Sequence, residues 1–386
     1  MAKKPVDGVV PGGPIFECVT TAERLGELES AWDALHARSP GAHLFQSYPW
    51  VSSWIRHRPE GRPLVLTARR DDRLTAALAL CAHDVGPVAF GIRTLRVATD
   101  YSDFCDALSD PDYPEDLPAA WANFLGHAPW NVIDLHYVRP GSALASLCDQ
   151  VPHAWRIHRA QQDVAPYLDL SIDWRETVGK GHRSDWLRRR RRLEERGGLA
   201  LTRAQTPAEI DALLEEFARF HIERWRAKGE TSAYSFQETR EFLRDVCHGL
   251  QRRGQLRLYR LAAGGDTVSI GIYTLFGSRL MPYSYVFAPE YARFSPIHLL
   301  ILSVVEEIQG QGLAEEHDFG RGDEEYKLSW TQKVRPLERI VIARRSLRGR
   351  LAWWWAVEAK PALWRHPRLH VAVREMRTRL RRYRRG

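Results

Sequence analysis

The sequence predicts two tandem α/β modules, each a mixed sheet flanked by helices. At 386 residues the chain exceeds one ordinary domain. A strand–turn–strand pattern occurs in each half, at residues 64–83 and 256–276, and helical segments surround both hairpins. We therefore expect a duplicated unit with a join near residues 160–173. The expected boundaries are 1–165 and 166–345, followed by a basic helical tail at 346–386.

The remaining elements follow from apolar periodicity and turn residues. Strands are predicted at 15–20, 64–69, 74–83, 88–98, 131–137, 155–160 and 167–170 in the first half. Helices there are predicted at 22–38, 48–58, 118–126 and 142–150. Helices in the second half are predicted at 174–195, 207–228, 236–252 and 297–309. Strands there are predicted at 199–203, 256–262, 268–276, 280–287 and 313–319.

Composition is that of a soluble globular protein, with 44% apolar and 27% charged residues. The sequence contains no run of about 18 apolar residues, so we expect no membrane-spanning helix. Its N-terminal segment lacks the apolar region of a signal peptide, so nothing indicates secretion. The five cysteines form no CxxC pair, so we expect neither a zinc site nor a disulfide framework. These features favour a cytoplasmic protein.

The net charge of +8 is unevenly distributed. Residues 344–386 carry +12, and the remaining residues together carry −4. This distribution excludes a protein that binds nucleic acid over its whole surface. The tail combines arginines with four tryptophans: Trp353, Trp354, Trp355 and Trp364. Two interpretations stay open. The tail is a peripheral helix bound to the anionic inner face of a membrane, or it is a C-terminal helix that packs its tryptophans against the rest of the protein.

Residues 279–327 are the expected site of chemistry. In the strand at 280–287, Pro282 indicates an edge or a bulge. Ser295 and Pro296 are a cap and a first-turn residue for the following helix. Polar residues then crowd the end of the strand at 313–319: Asp318, Arg321, Asp323, Glu324, Glu325, Tyr326 and Lys327. Ligands bind where such strands end, and a helix start offers free N–H groups to an anion.

Four segments occur in a characteristic order: LFQSYPWVSSW at 44–54, RRRRRLEERG at 188–197, FHIERWRAKG at 220–229 and DFGRGDEEYK at 318–327. With YVFAPEYARFSPIHLL before the last, the set resembles the CelD/BcsL-type acetyltransferase family of the GNAT superfamily, related to Fem-type peptidoglycan aminoacyl transferases. The resemblance covers roughly residues 40–345. It implies tandem GNAT-like modules and acyl transfer to an amine in bacterial exopolysaccharide or cell-envelope biosynthesis.

The resemblance also implies a mechanism. A backbone N–H of one of two splayed parallel strands, 280–287 and 313–319, would polarise the donor carbonyl. Asp318 is the expected base, directly or through water, and Tyr326 the expected acid for the leaving group. As alternatives, Asp318 is a cap or a partner of Arg321, and Tyr326 is a packing residue.

The donor stays open between an acyl-CoA, acetyl-CoA first, and aminoacyl-tRNA. The family's glycine-rich pyrophosphate loop is replaced by Arg293-Phe294-Ser295-Pro296, in which Pro296 removes one donor N–H. Arg293 and Ser295 are the expected anion ligands. Arg188 and Arg189 would attract a phosphate-rich donor, unless their helix face is merely solvated. No metal is expected.

The acceptor is expected to be an amine on a small molecule, glycan or peptide. His221 and Arg224 share one side of a helix with Trp225. We expect the first two to bind substrate together with Tyr285, Arg321 and Lys327; a surface or capping role is the alternative. The segment DYSD at 100–103 resembles a family loop of unassigned role, or is a surface turn. A non-catalytic binding subunit with the same fold is the alternative for the whole chain.

Overall fold

The computed structural model describes residues 8–9, 13–57, 61–83, 92–97, 102–127 and 130–359. All structural statements below concern these residues. The expectations for residues 360–386, including Trp364, and for Asp100 and Tyr101 lie outside them.

The first half alternates strands with helices. Its strands are β1 Gly8–Val9, β2 Ile15–Val19, β3 Arg62–Arg70, β4 Arg73–His83, β5 Thr94–Val97, β6 Leu108–Ser109, β7 Val132–Val138 and β8 Trp155–Asp169. Its helices are α1 Ala22–Gly26, α2 Glu29–Arg38, α3 Tyr48–His57, α4 Asp116–His127 and α5 Ala143–Cys148. The helix predicted at 22–38 is thus two helices.

The second half has the same plan with longer helices. Its helices are α6 Trp174–Thr177, α7 Lys180–Glu194, α8 Pro207–Ala227, α9 Gln237–Arg252, α10 Pro296–Gln311, α11 Glu325–Leu328 and α12 Leu347–Trp353, which continues as a π-helical turn at Trp354–Ala359. Its strands are β9 Leu199–Arg203, β10 Leu256–Ala263, β11 Asp266–Phe276, β12 Arg279–Phe287, β13 Glu316–Asp318 and β14 Val334–Arg344.

Strand pairing shows the duplication. In the first half the order is β2-β3-β4-β5-β7, and in the second it is β9-β10-β11-β12-β13. In each series only the last pair, β5 with β7 or β12 with β13, is parallel, and the other pairs are antiparallel. The expected fold class, tandem α/β modules with mixed sheets, is confirmed.

The two series form one continuous sheet, because strands cross between the halves. Strand β14, from the end of the second half, lies between β7 and β8. Strand β8 pairs with β14 up to Pro166 and then with β13 over Tyr167–Asp169. The expectation of two separate sheets was wrong, and so was the division of β8 into two strands. The sequence analysis did not predict β14.

Helices α3 and α9 join the halves on one face of the sheet. Gly249 of α9 lies so close to α3 that a Cβ there would stand 2.6 Å from the Cβ of Pro49. Trp50 packs edge-on against Phe242, with ring centroids 5.0 Å apart. Arg253 pairs with Asp33 at 2.6 Å. One hydrophobic cluster therefore contains residues of both modules and holds their relative position.

Candidate functional site

Strands β12 and β13 separate soon after they pair. Their parallel ladder covers only Arg279–Glu316 and Leu280–His317. Strand β13 ends at Asp318, whereas β12 continues to Phe287. A register shift between β11 and β12 makes Tyr283 of β12 the extra residue of a bulge next to Pro282, so the expected bulge at Pro282 is confirmed. Past Leu280, the β13-facing edge of β12 has no ladder partner among the described strands, and we call this space the strand gap.

Two tyrosines stand beside the strand gap. Tyr326 lies in α11, and its ring centroid is 6.4 Å from that of Tyr285. Burial raises the pKa of Tyr326 above its ordinary value, and the Glu324 and Asp103 carboxylates raise it further. Burial also raises the pKa of Tyr285 well above its ordinary value. Both phenols are therefore protonated donors at neutral pH, and the described residues offer the Tyr326 hydroxyl no hydrogen-bond partner.

A carboxylate from the first half reaches the same place. Asp103 accepts a hydrogen bond from the backbone N–H of Arg321 (3.3 Å), and its side chain is 27% exposed. Burial raises the pKa of Asp103 to about 6, against the opposing charges of Arg321 and Lys327. Gly320, at φ +72°, permits this approach, because a Cβ there would stand 2.4 Å from the Asp103 carboxylate. Asp103 thus has the pKa of a general base near neutral pH.

Asp318 does not face the strand gap with a free oxygen. Its side chain is fully buried, and its Oδ2 accepts a bond from Nη2 of Arg139 at 2.5 Å. Its Oδ1 accepts the backbone N–H of Gly320 at 2.9 Å. The expected alternative partner, Arg321, lies instead beside Asp103. Both Asp318 oxygens are therefore engaged, Oδ2 by Arg139 across the module boundary and Oδ1 by Gly320 of the same loop, so neither is free for an amine in this conformation.

Arg321 and Lys327 support the Asp103 loop. The guanidinium of Arg321 lies over the ring of Tyr137, 3.9 Å from its centroid. Lys327 is 4% exposed and donates to the carbonyl of Arg321, and it pairs with Glu324 at 2.8 Å. The structure brings both residues next to Asp103, where the Lys327 ammonium is engaged by Arg321 and Glu324.

His221 and Arg224 have different surroundings. Trp225 donates its indole N–H to Nε2 of His221 at 3.2 Å, so Nδ1 carries the proton toward Oγ of Ser232, 2.8 Å away. Burial, then the Arg224 charge, lowers the pKa of His221 to about 4, so the ring is neutral with both nitrogens used. Arg224 is exposed, lies 5.4 Å from the Phe287 ring centroid and makes no ion pair with a described residue. The positive charge of Arg224 partly opposes the rise in the pKa of Tyr326, which places that charge near the strand gap.

The start of α10 has two unpaired cations beside it. Ser295 occupies the expected N-cap position of α10, but it adopts a left-handed conformation (φ 54°) and its side chain makes no cap bond. Arg293 and Arg196 lie 5.0 and 4.9 Å from the ring centroid of Phe294. Neither arginine pairs with a carboxylate of the described chain. The free first-turn N–H groups, the Ser295 hydroxyl and these cations suit a phosphate.

Arg188 and Arg189 are less available than the sequence suggested. Both pair with Asp185 on the same helix, Arg189 at 2.6 Å. Arg189 also donates to the carbonyl of Arg293 at 2.6 Å. Their charge is therefore partly neutralised, and Arg189 holds α7 against the start of α10.

The sequence analysis missed Asp103, Arg139 and Arg196 as site residues. Asp103 lies within the DYSD segment whose role was unassigned, in the connection between β5 and β6. Arg196 lies within the quoted RRRRRLEERG motif, so its signal was present. No local pattern links Arg139 with Asp318, because 179 residues separate them.

Among the described residues, no group of three or more His, Cys, Asp or Glu side chains could hold a metal ion. No helix within the described ranges is long and apolar enough to cross a membrane.

Comparison with known proteins identifies the second module. Residues 180–328 match the family model of an acetyltransferase (GNAT) domain, which confirms a GNAT-type domain in this part of the chain. Among solved structures, FemX is similar with a TM-score of 0.59 at 12% identity, over 89% of this chain and 99% of FemX. The C-terminal domain (DUF2156) of a putative lysylphosphatidylglycerol synthetase from Agrobacterium fabrum gives 0.54 at 13% identity, over 86% and 95%.

L-PGS from Bacillus licheniformis is also similar, with a TM-score of 0.50 at 13% identity, over 86% of this chain and 96% of that one. No curated protein sequence gives a significant match. At such identities the structural likeness establishes the shared two-module fold over nearly the whole length.

Proposed function

We propose that the protein is a GNAT-type N-acyltransferase of the CelD/BcsL kind. It transfers an acyl group from a thioester, acetyl-CoA, to an amine of an envelope or exopolysaccharide precursor in the cytoplasm. The observation that carries this proposal is the meeting of Asp103 and Tyr326 beside the uncovered edge of β12. Asp103 is a carboxylate with a pKa of about 6, and Tyr326 is a protonated phenol.

Asp103 acts as the general base. At neutral pH it is mostly ionised, so it accepts a proton from the acceptor's ammonium group. The free amine then attacks the thioester carbonyl, a C–N bond forms, and the carbonyl oxygen gains negative charge. N–H groups of β12 past Leu280 stabilise that oxyanion without reorganising. Asp318, Arg321 and Lys327 act as positioning residues for the Asp103 loop.

Tyr326 acts as the general acid. As the C–S bond breaks, its phenol gives a proton to the departing sulfur. As the amide forms, the nitrogen gives its second proton to the Tyr326 phenolate, directly or through water, and the protonated Asp103 releases its proton to water. Tyr285 lies beside the strand gap with Tyr326. Arg224 offers an unpaired positive charge to an anionic acceptor, and His221 lies next to Arg224.

The start of α10 binds the donor phosphates in this proposal, through Arg196, Arg293 and Ser295. Aminoacyl-tRNA is the second candidate donor, and one observation favours it. Pro296 occupies the first helical position and no glycine precedes it, so fewer backbone N–H groups converge there than in a glycine-rich loop. The chemistry at Asp103 and Tyr326 is the same for a thioester and for an ester.

Calorimetric titration with acetyl-CoA, followed by measurement of thiol release in the presence of amino sugars and peptide amines, tests the proposal. We expect binding that weakens in Arg196→Gln/Arg293→Gln. The control Arg203→Gln/Arg252→Gln changes two exposed arginines outside this site. Absence of acetyl-CoA binding, with acyl transfer from aminoacyl-tRNA, would assign the second donor. Binding without transfer from either donor would identify a non-catalytic subunit.

A further inference from the structure

We propose that α12 and its π-helical turn dock on a bilayer containing anionic lipid. Four large apolar side chains on this segment are exposed to 84%, 45%, 51% and 49%: Leu347, Leu351, Trp354 and Trp355. Their spacing of four, seven and eight residues from the first places them on one side of a helix. We call them the α12 stripe. Tryptophan and leucine on one face, with arginine beside them, are typical of a helix lying in a membrane interface.

The opposite side of the segment is fixed to the body. Gly349, Ala352 and Ala356 are buried, and the two alanines pack with Val132, Val341 and Ala343. Gly349 comes so close to β14 that a Cβ there would stand 2.0 Å from the carbonyl oxygen of Arg344. Arg339 donates to the carbonyl of Ala356 at 2.9 Å. The α12 stripe therefore cannot be buried by rotating the helix, and it stays exposed.

Arginines outnumber carboxylates around the stripe, where Glu358 lies near Arg156 and partly offsets the lowering of its pKa. Arg345, Arg348, Arg350 and Arg156 form no ion pair with any described carboxylate. Arg350 and Arg345 lie near enough to Arg156 that their charges, after burial, lower its pKa. The Arg156 guanidinium also lies over the ring of Trp353, 3.9 Å from its centroid. Three cations held near one another, with Arg348 on the same helix, attract an anionic surface.

Charge decides which occupant covers the stripe. The following segment, residues 360–386, carries a net charge of +9, so these arginines repel it. A second copy would bring an equally basic face. A nucleic acid would neutralise the arginines but would leave Leu347 and Leu351 in water. Anionic lipid can both neutralise the arginines and bury the apolar side chains. Its headgroups bind the arginines, and the apolar side chains insert where the headgroups meet the acyl chains. This inference does not depend on acyl transfer.

Sedimentation of the full-length chain with vesicles tests the proposal. Vesicles of phosphatidylcholine mixed with phosphatidylglycerol are compared with phosphatidylcholine alone. We expect binding to the mixed vesicles only. Arg345→Gln/Arg348→Gln/Arg350→Gln should lower the partition constant by about fivefold per arginine, about a hundredfold in all. Trp354→Ser/Trp355→Ser, which keeps every cation, should lower it at least tenfold.

The matched control is Arg203→Gln/Arg226→Gln/Arg252→Gln, which removes the same charge from exposed positions of the second module. This control should bind like the wild type, and thermal unfolding should show that all variants stay folded. An equal loss in the control would mean general electrostatic attraction and would overturn the proposal. The proposal would also be overturned if the arginine variant and the tryptophan variant both bound like the wild type while deletion of 360–386 abolished binding. That result would assign the anchor to residues 360–386.

Discussion

Replacement of Asp103 by Asn should abolish most catalysis and yet stabilise the protein at neutral pH. Asn has nearly the same shape but accepts no proton, so we expect transfer to fall by about 10²–10⁴-fold. In the wild type, kcat/KM should rise as the pH passes through about 6, where Asp103 ionises. The residual activity of Asp103→Asn should lack that rise.

The stability effect follows from the same pKa. A shift from the ordinary 3.8 to about 6 corresponds to about 3 kcal/mol of destabilisation when Asp103 is ionised. Because the side chain is 27% exposed, we expect about 1–2 kcal/mol. The sign is that of a raised carboxyl pKa: its stabilising contribution is complete below about pH 3.8 and is lost as the pH rises through about 6. The variant should therefore gain most at about pH 8 and less at about pH 5.

Urea unfolding of the wild type and of Asp103→Asn at about pH 5 and about pH 8 measures the stability difference. Their pH–rate profiles measure the effect on catalysis. Asp106→Asn is the matched control, since Asp106 belongs to the same loop but accepts its hydrogen bonds from Leu144 and Ala107. That variant should keep the rise in rate near pH 6. An Asp103→Asn protein with wild-type turnover would refute the assignment of the base. A stability difference independent of pH would refute the raised pKa.

Three further outcomes are expected. Tyr326→Phe should lower kcat by at least about tenfold with little change in the KM of the donor, since a proton donor is lost; an equal effect on both constants in steady-state kinetics would indicate packing instead. Asp318→Asn should destabilise the protein by about 3–5 kcal/mol in urea unfolding, because Arg139 is left with a weakened partner in a buried place; unchanged stability would contradict the ion pair. Gly320→Ala should cost more than about 1 kcal/mol and displace Asp103, and wild-type turnover in this variant would contradict the close approach.

Most of the fold could be predicted because it depends on local patterns. The hairpins β3–β4 and β10–β11 follow from alternating apolar residues around charged or glycine turns. The bulge at Pro282 follows from the missing N–H of proline. Strand β14 escaped prediction because its place depends on pairing with β7, about two hundred residues earlier in the chain.

The site was predictable only where its residues lie close together in the chain. Tyr326, Arg321 and Lys327 belong to one motif, and the sequence places them at a strand end. Asp318 also lies in that motif, but its role depends on Arg139, which only the folded structure brings near. The carboxylate that we propose as the base, Asp103, comes from a loop of the other module.

The crossing of β14 into the first-half sheet has a consequence for biosynthesis. On the ribosome, β7 emerges about two hundred residues before β14, which at about 5–20 residues per second is a delay of about 10–40 s. During that interval the nascent first module has an open strand edge, a template for pairing with other chains. Its sheet closes only when nearly the whole second module has been made. Substitutions in β14 should therefore change the yield of folded protein more than the properties of the molecules that do fold.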